Sequence, residues 1–401
     1  MLQLLRKALM PCGSSAAGAF ALGALLLVGS GAAAAQPAER FGRAWSVDSF
    51  GEEPLFRPVE MVALPGCEVW VGDSGNATVY RWNCNGQPLG RVGRRGEGPG
   101  EFNLPAPMAR LRGDTVAVLD QPLGRLSLFD RRGRFIRAEP VELSPGEHGF
   151  ARAFGRASGT TVVQANHYPT TEPRPQENFS FLWGILPGGN AGQALLRLPA
   201  PQSLIDRGGT ASARIDAPFR RVPVVLFAPD GTLLVGNTGS RELRRYRFGP
   251  RLIPAGQMRL DVPALPVTRA ERRAWADSMQ ARLAGDLERS NVDAAGRASL
   301  AQRHERLLDG VSFPETHPFY LLATQDEQGN LWLQLPMRRR DTRTRWQVRN
   351  GRTGALLRTV ELTPSGRITT AVAQGGSLYT IEVDGEGVAR VSRYGRVVPR
   401  R

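Results

Sequence analysis

The chain has 401 residues, of which 41% are hydrophobic, so it can bury the core of two ordinary domains or of one large repeat fold. Its 52 Lys and Arg residues outnumber 37 Asp and Glu residues, and the resulting net charge of +15 favours anionic partners. Four His and three Cys residues leave too few ligands for a metal-rich protein.

The N-terminal 35 residues have the order of a secretory signal peptide. Arg6 and Lys7 precede the apolar stretch Ala16–Val28, and the small-residue run Ala32–Ala35 supplies an A-x-A cleavage site. We therefore expect residues 1–35 to be removed on export. An uncleaved membrane anchor is the competing interpretation, but the apolar stretch is shorter than the roughly 18 residues that a spanning helix needs.

Export to the periplasm or the extracellular space sets the kind of partner. For a basic exported protein, acidic glycans, lipid head groups and cell-surface polymers fit better than nucleic acid. We expect a mature monomer without a transmembrane span, which binds an anionic ligand or a protein.

The segment Arg43–Phe50 alternates between apolar and polar residues, as a strand does, and we expect it to pair with the C-terminal end of a repeating β fold that is described below. The last repeated unit of the chain ends near Tyr394, with too few residues beyond it for an outer strand. The early segment is expected to supply that strand, which would join the two ends and leave no exposed sheet edge there.

Six short segments share a turn followed by an apolar run, as a recurring strand would. They are Gly66–Asp73, Gly113–Asp120, Gly159–Asn166, Gly231–Asn237, Gly329–Leu335 and Gly376–Glu382. Their centres are 47, 46, 71, 98 and 47 residues apart, and the two long steps indicate insertions. Twelve residues after the first, second and fourth centres stand Trp82, Phe129 and Tyr246. A turn, a strand, a hairpin and another strand every 45 or so residues is typical of propeller blades.

The glycine-rich stretch Gly93–Pro107 lies between the first two units. Gly98–Gly100 suits the corner between two blades, because glycine permits positive φ and proline fixes its own. Phe102 is expected to wedge between neighbouring blades. The stretch is not a phosphate loop, because no Lys-Ser/Thr pair ends it and Pro105 and Pro107 prevent a following helix.

The sequence GRRGEGPGEFNLP, followed by DTVAVLDQPLGRLSLFDRRGRFI, resembles the NHL-type repeat of six-bladed β-propellers, especially exported bacterial ones. The resemblance is good over Pro58–Ile136 and returns at Phe313–Gln334. It implies an all-β, six-bladed propeller over residues 36–401. The family is diverse in function, so the resemblance implies no particular ligand or reaction.

A helical hairpin, residues 268–310, is predicted as an insertion between blades four and five. Thr268 and Glu271 form a capping box, and the first helix carries an apolar stripe made of Trp275, Met279, Leu283 and Leu287. A second helix is predicted at Asp293–Leu308. The hairpin is either a brace that packs its stripe on the blades or a lid over a ligand site.

Cys67 and Cys84 remain as a pair after removal of the signal peptide. If the hairpin between them turns at Ser74–Gly75, the two cysteines stand nearly opposite each other. We predict a structural disulfide, with two free thiols as the alternative.

Three histidines are candidate metal ligands. If the repeated segments are the second strands of propeller blades, His148 and His317 lie in loops before an innermost strand, and His167 lies in a loop between two middle strands. In propellers both kinds of loop lie at the mouth of the central channel. Together the three imidazoles could hold zinc or another divalent metal. The alternative is separate surface or capping histidines, since no H-x-H or H-E-x-x-H spacing occurs.

Polar residues recur at the end of the second strand, as Asp73, Asp120 and Asn237. Their side-chain oxygens are predicted to bond the amides of the following turn. A role as acid, base or metal ligand is the alternative, because the same loops face the channel. No paired-carboxylate or G-x-S-x-G motif identifies a catalytic set.

Arginines concentrate in loops assigned to the same face, and guanidinium groups bind carboxylate, sulfate and phosphate well. The candidate ligand-binding residues are Arg94, Arg95, Arg220, Arg221, Arg338, Arg339 and Arg340. An ordinary solvated basic surface is the alternative. The sequence therefore predicts a non-catalytic binding module without a cofactor. The second hypothesis is a metal-dependent hydrolase or lyase (lactonase-like or lyase-like) with its site at the mouth of the central channel.

Overall fold

The computed structural model describes most of the chain after residue 36. The described ranges are 37–141, 148–157, 160–167, 179–185, 192–199, 203–206, 213–228, 231–247, 251–338 and 340–397. Within these ranges the chain is all-β apart from two α-helices and one short 3-10 turn at Arg112–Asp114. None of the helices in this part of the chain is both long enough and apolar enough to cross a membrane.

Strand β1 opens the described chain. It spans Glu39–Val47 and is followed by two short strands, β2 (Ser49–Phe50) and β3 (Glu53–Pro54), which pair with each other.

Two four-stranded antiparallel sheets follow, each with its strands in sequence order. The first contains β4 (Pro58–Leu64), β5 (Glu68–Asp73), β6 (Thr78–Trp82) and β7 (Pro88–Val92). The second contains β8 (Met108–Arg110), β9 (Val116–Asp120), β10 (Arg125–Phe129) and β11 (Phe135–Pro140).

The third and fourth sheets have the same order, with a separate hairpin between them. The third contains β12 (His148–Ala157), β13 (Thr160–His167), β14 (Phe179–Ile185) and β15 (Gln193–Pro199). The hairpin is β16 (Ser203–Asp206) with β17 (Ala213–Asp216). The fourth sheet contains β18 (Pro223–Phe227), β19 (Thr232–Asn237), β20 (Glu242–Arg247) and β21 (Ile253–Arg259).

Helices α1 (Arg269–Arg289) and α2 (Ala294–Asp309) come next in the chain. The predicted capping box is present, because the Glu271 amide donates to Thr268 and the Thr268 amide donates to the Glu271 carboxylate. The apolar stripe packs against α2 and against Ile215 of β17, and Met279 and Leu283 are buried there. The hairpin β16–β17, which was not predicted, packs against α2, and α1 packs on α2.

The remaining strands join one eight-stranded sheet. They are β22 (Leu322–Gln325), β23 (Leu331–Gln334), β24 (Thr344–Arg349), β25 (Leu356–Leu362), β26 (Arg367–Gln374), β27 (Ser377–Val383) and β28 (Ala389–Arg396). The order is β22-β23-β24-β25-β1-β28-β27-β26. Strand β1 pairs in parallel with β25 at Glu39 and Arg40, and it pairs antiparallel with β28 over Phe41–Val47.

This pairing confirms that an early strand completes the last sheet, although β1 begins at Glu39 and ends at Val47 rather than spanning Arg43–Phe50. Sheet pairing thus divides these strands into four separate four-stranded sheets and one eight-stranded sheet, and not into six separate ones. The reason is that β1 bonds to neighbours on both sides.

The sheets are arranged like the blades of a propeller. Each first strand contacts that of the next sheet, in the order β4, β8, β12, β18, β22 and β26, and β26 contacts β4. Apolar clusters fill the space between consecutive sheets; one contains Trp70 of β5 together with Met108 and Phe129 of the next sheet. Each of the six predicted segments contains the second strand of its four-stranded unit. The residues at the segment centres are fully buried; they are Trp70, Ala117, Val163, Leu234, Trp332 and Tyr379.

The glycine-rich stretch forms the predicted corner between the first two sheets. Phe102 is fully buried in the cluster between them, which confirms its wedge position. Gly93 and Gly100 have φ of +72° and +77°, where L-residues are strained. A Cβ at Gly93 would also clash with the Phe102 ring, so the corner and its wedge depend on each other.

Candidate functional site

Six of the seven predicted arginines lie in connections that leave one set of strand ends, which we call the loop face. This face carries the β5–β6 turn and the connections β7–β8, β17–β18 and β23–β24. Arg95 of the β7–β8 connection donates from Nη2 to the carbonyl oxygen of Gly75 in the β5–β6 turn at 2.8 Å, which ties two of these loops together. Arg339 lies outside the described residues.

Most of the described loop-face arginines bond to acceptors of the same chain. Arg94 Nε lies 2.8 Å from Glu101 Oε1, and this bond, with the Gly98 amide, lowers the pKa of Glu101. Arg220 Nη1 lies 2.9 Å from Asp216 Oδ1. The predicted set is therefore partly neutralised, which weakens the case for one continuous anion-binding surface.

Two of the predicted arginines remain available. The Nε of Arg221 is buried, and no acceptor in the described part of the chain bonds it. Its side chain packs against Gly239 in the β19–β20 turn, where a Cβ would clash with it. Arg340 is exposed.

Glu271 joins two residues that the sequence assigned to different sites. Arg338 Nη1 lies 2.8 Å from Glu271 Oε2, and His317 Nε2 lies 3.3 Å from Glu271 Oε1. The His317 ring also packs edge-on against Phe219, with centroids 4.5 Å apart. We call Thr268, Glu271, His317 and Arg338 the Glu271 node; it fastens the start of α1 to the connections before β22 and after β23.

The Glu271 carboxylate is stabilised strongly in its ionised form. Partial burial alone would raise its pKa, but hydrogen bonds from the backbone and hydroxyl of Thr268 and from Arg338, together with the nearby His317 ring, outweigh this and lower the pKa to about 2. His317 is thus engaged by a carboxylate, and Arg338 by the same group and by the Pro266 carbonyl at 2.9 Å. The node has the contacts of a structural clamp.

His148 and His167 are strand residues rather than loop residues. They are the first residue of β12 and the last of β13, and they are register partners. Among the described residues, no group of three His, Cys, Asp or Glu side chains has a geometry that could hold a metal ion. Metal binding by these two histidines and His317 stays a prediction.

The strand-end residues bond backbone amides as predicted. Asp73 Oδ1 accepts from the amides of Gly75 and Asn76 in the following turn, at 2.9 and 3.1 Å, and Asn237 Oδ1 accepts from Gly239 at 2.8 Å. Asp120 Oδ1 accepts from the Leu123 amide of the following turn at 3.3 Å, and its Oδ2 accepts from the amides of Asn103 and Leu104 at 2.6 and 3.0 Å, which attaches the preceding corner to β9. These contacts support the structural interpretation of the three residues.

The disulfide between Cys67 and Cys84 is present, with a Cα–Cα distance of 4.9 Å. It closes the β5–β6 hairpin, whose register pairs Val69 with Trp82. The two cysteines continue that register just beyond the ladder, so the prediction from strand pairing is confirmed.

Two features were not found from the sequence. A groove of about 730 Å³ runs along α1; its described lining is one face of the helix, with Arg269, Arg273 and Asp277. Glu60 lies on β4 and is partly exposed to solvent. Desolvation by the surrounding protein raises its pKa to about 7, although a hydrogen bond from the Met61 amide lowers it. The spacing of residues 269, 273 and 277 by four is the one sequence signal that marks the groove.

Comparisons with known proteins agree with the fold. No family model matches the chain. RING finger protein nhl-1 of Caenorhabditis elegans is 35% identical over 66 residues, which are 16% of this chain and 7% of that protein. The matched segment therefore spans a small fraction of that relative.

Two solved structures align with about nine tenths of the chain. A member of the duf4221 family from Bacteroides vulgatus aligns with a TM-score of 0.50 and 8% identity, covering 90% of this chain and 98% of that one. Regucalcin, a calcium-binding protein from Agrobacterium tumefaciens, aligns with a TM-score of 0.46 and 11% identity over 90% and 98% of the two chains. At such identity the likeness concerns fold alone. The chain is an all-β protein with a propeller-like arrangement of its sheets.

Proposed function

We propose that this chain is an exported, six-bladed, NHL-type β-propeller that acts as a non-catalytic binding module for an anionic ligand on its loop face. Six blades are supported by the closed series of contacts among six first strands and by the position of β1 as the outer strand beside β28. In this reading residues 36–401 form the propeller, and residues 268–310 are an insertion between blades four and five.

Export is supported by two independent features. Residues 1–35 have the order of a signal peptide. The Cys67–Cys84 disulfide suits an oxidising compartment such as the periplasm or the extracellular space.

The observation that carries the binding function is the groove along α1. Arg269 and Arg273 line it, both are exposed, and neither forms an ion pair among the described residues. The Glu271 node fixes the beginning of α1, so these two guanidinium groups are held on a rigid element. Two exposed arginines one helical turn apart, without intramolecular acceptors in the described chain, suit carboxylate, sulfate or phosphate groups of a ligand.

The test compares the mature protein and two double variants on immobilised heparin, an anionic glycan, in a salt gradient. We expect R269Q/R273Q to elute at clearly lower salt than the matched control R251Q/R352Q. The control removes two exposed arginines from turns of the fourth and eight-stranded sheets, so both variants lose the same net charge. Equal elution of the two double variants would show a merely basic surface and would contradict a specific site.

A metal-dependent hydrolase or lyase at the channel mouth is the second candidate, and Glu60 is the observation that favours it. A carboxyl with a pKa of about 7 can exchange protons near neutral pH, as a general base does. Elemental analysis should then find a stoichiometric divalent metal, and lactone hydrolysis should increase as pH rises through about 7 and be lost in E60Q. A metal-free protein without such activity would reject this candidate.

A further inference from the structure

A second basic site lies where β1 passes between β25 and β28. A cleft of about 590 Å³ opens there, and we call it the β1 cleft. Its charged lining residues are Glu39, Arg43, Arg358, Arg393 and Arg396. Four guanidinium groups and one carboxylate line the cleft, and a second carboxylate, Glu327, accepts from the Gly375 amide at its edge at 3.1 Å, so the local charge remains positive.

Three of these arginines are already bonded within the chain. Arg43 Nη2 donates to the Thr363 carbonyl at 3.3 Å. Arg393 donates from Nη1 to the Cys84 carbonyl at 2.9 Å and from Nη2 to Ser377 Oγ at 3.1 Å. Arg396 Nη2 lies 3.0 Å from Glu39 Oε1, and this ion pair neutralises the one carboxylate of the cleft.

Arg358 differs from the other three. Its guanidinium lies over the ring of Trp332, 5.3 Å from the centroid, and Trp332 is itself fully buried. The Nε of Arg358 is buried, and no acceptor in the described chain bonds it. A buried donor without a partner costs about 1–3 kcal/mol, and more when charged, so such groups usually meet a ligand, an ion or water.

Glycine leaves one wall of the cleft without side chains. Gly375 and Gly376 form the β26–β27 turn with φ of +58° and +70°, and a Cβ built on either would meet nothing within 4 Å. Both glycines line the cleft, whose volume is in the range that small organic ligands occupy.

We propose that the β1 cleft binds a small organic molecule carrying an oxyanion, with the Arg358 guanidinium as its anchor. The Nε–H and one Nη–H of a guanidinium form a fork that matches two oxygens of a carboxylate, sulfate or phosphate. Stacking on Trp332 holds that fork in place before a ligand arrives, and Arg43 and Arg393 add positive potential at its sides.

This site goes beyond the proposed function because it lies at the other end of the sheets. The β26–β27 turn corresponds to the β4–β5 turn, and both leave the strand ends opposite the loop face. Binding in the β1 cleft is therefore independent of Arg269 and Arg273, and the loss of one site leaves the other intact.

The test is calorimetric titration of the mature protein with sodium sulfate, sodium phosphate and sodium glucuronate at constant ionic strength. Sulfate and phosphate probe an inorganic-type group, and glucuronate probes a sugar acid. We expect saturable binding of at least one probe, weakened about tenfold or more in R358Q, as loss of a charge-assisted hydrogen-bond pair predicts. The control R352Q removes an exposed arginine of the neighbouring turn and should bind like the wild type.

R358K keeps the positive charge, and it serves as a second variant in case R358Q fails to fold. It lacks the planar fork, so we expect weakened binding together with a wild-type unfolding transition. The proposal is overturned if the wild type binds none of the three probes saturably, or if R358Q and R358K bind as well as the wild type does.

Discussion

The Glu271 node and the β1 cleft both gather arginines, but they differ in whether an acceptor is present. In the node, Arg338 and His317 converge on one carboxylate, whose pKa falls to about 2. In the cleft, Glu39 engages only Arg396, and Arg358 Nε is left buried without a partner. The node is therefore built for stability, whereas the cleft holds unsatisfied hydrogen-bonding capacity.

The two regions are also anchored differently. Ion pairs and capping hydrogen bonds hold α1 at the node. The Cys67–Cys84 disulfide lies beside the cleft, because the Cys84 carbonyl accepts from Arg393 Nη1 at 2.9 Å and from Trp45 Nε1 at 2.7 Å. The number of arginines in a region thus says little about binding; the position of the acceptors decides it.

The largest expected effect comes from removing the covalent anchor. The double variant C67S/C84S should lose about 2–3 kcal/mol of unfolding free energy, because the disulfide closes a loop of about 18 residues. Urea denaturation followed by tryptophan fluorescence measures this loss. Reductant should bring the wild type to the level of the variant; if reductant changes neither protein, the bridge contributes no stability.

Removing the charge of the node should have a smaller, pH-dependent effect. E271Q should lose about 1–2 kcal/mol at neutral pH, after allowance for solvent screening. Since the folded pKa is lowered, this stability is complete above about pH 4.5 and disappears as pH falls through about 2. Wild-type and E271Q unfolding curves should therefore converge in acid.

The matched control for the node is E288Q. Glu288 is exposed on the same helix and forms no ion pair among the described residues. Its replacement should change stability little at any pH. A loss as large as that of E271Q would mean that helix charge alone, and not the node, produces the effect.

The smallest effect is expected in the cleft. R358Q should change the unfolding free energy by less than about 0.5 kcal/mol in the absence of ligand, because losing the contact with the Trp332 ring destabilises the fold while removing the unpaired Nε donor stabilises it. R338Q, which breaks two hydrogen bonds of the node, should cost about 1 kcal/mol. Equal losses in thermal unfolding of the two variants would remove the contrast between the regions.

Much of the fold could be predicted because local patterns agree with the tertiary arrangement. Turn residues and apolar runs mark each second strand, and Phe102 takes its predicted wedge position. The disulfide followed from strand register alone. The hairpin β16–β17 was missed because its four-residue strands have no aromatic marker and are paired only with each other.

The candidate sites could be predicted less well, because they depend on contacts between residues far apart in the chain. Glu271 was recognised as a helix cap, but its contacts with His317 and Arg338 span 46 and 67 residues. Arg358 has no motif of its own; its environment arises only when β1 enters between β25 and β28. Side-chain availability is a property of packing, which a single sequence does not display.

The pairing of β1 with β28 has a consequence for biosynthesis. Ser46 and Ser392 bond to each other through their hydroxyl groups at 2.9 Å, although 346 residues separate them. This non-local contact cannot form before Ser392 has been synthesised, and closing so long a loop costs conformational entropy. A ribosome that stalls before residue 389 would release a polypeptide whose final sheet lacks its partner strand, with unpaired amides exposed to self-association.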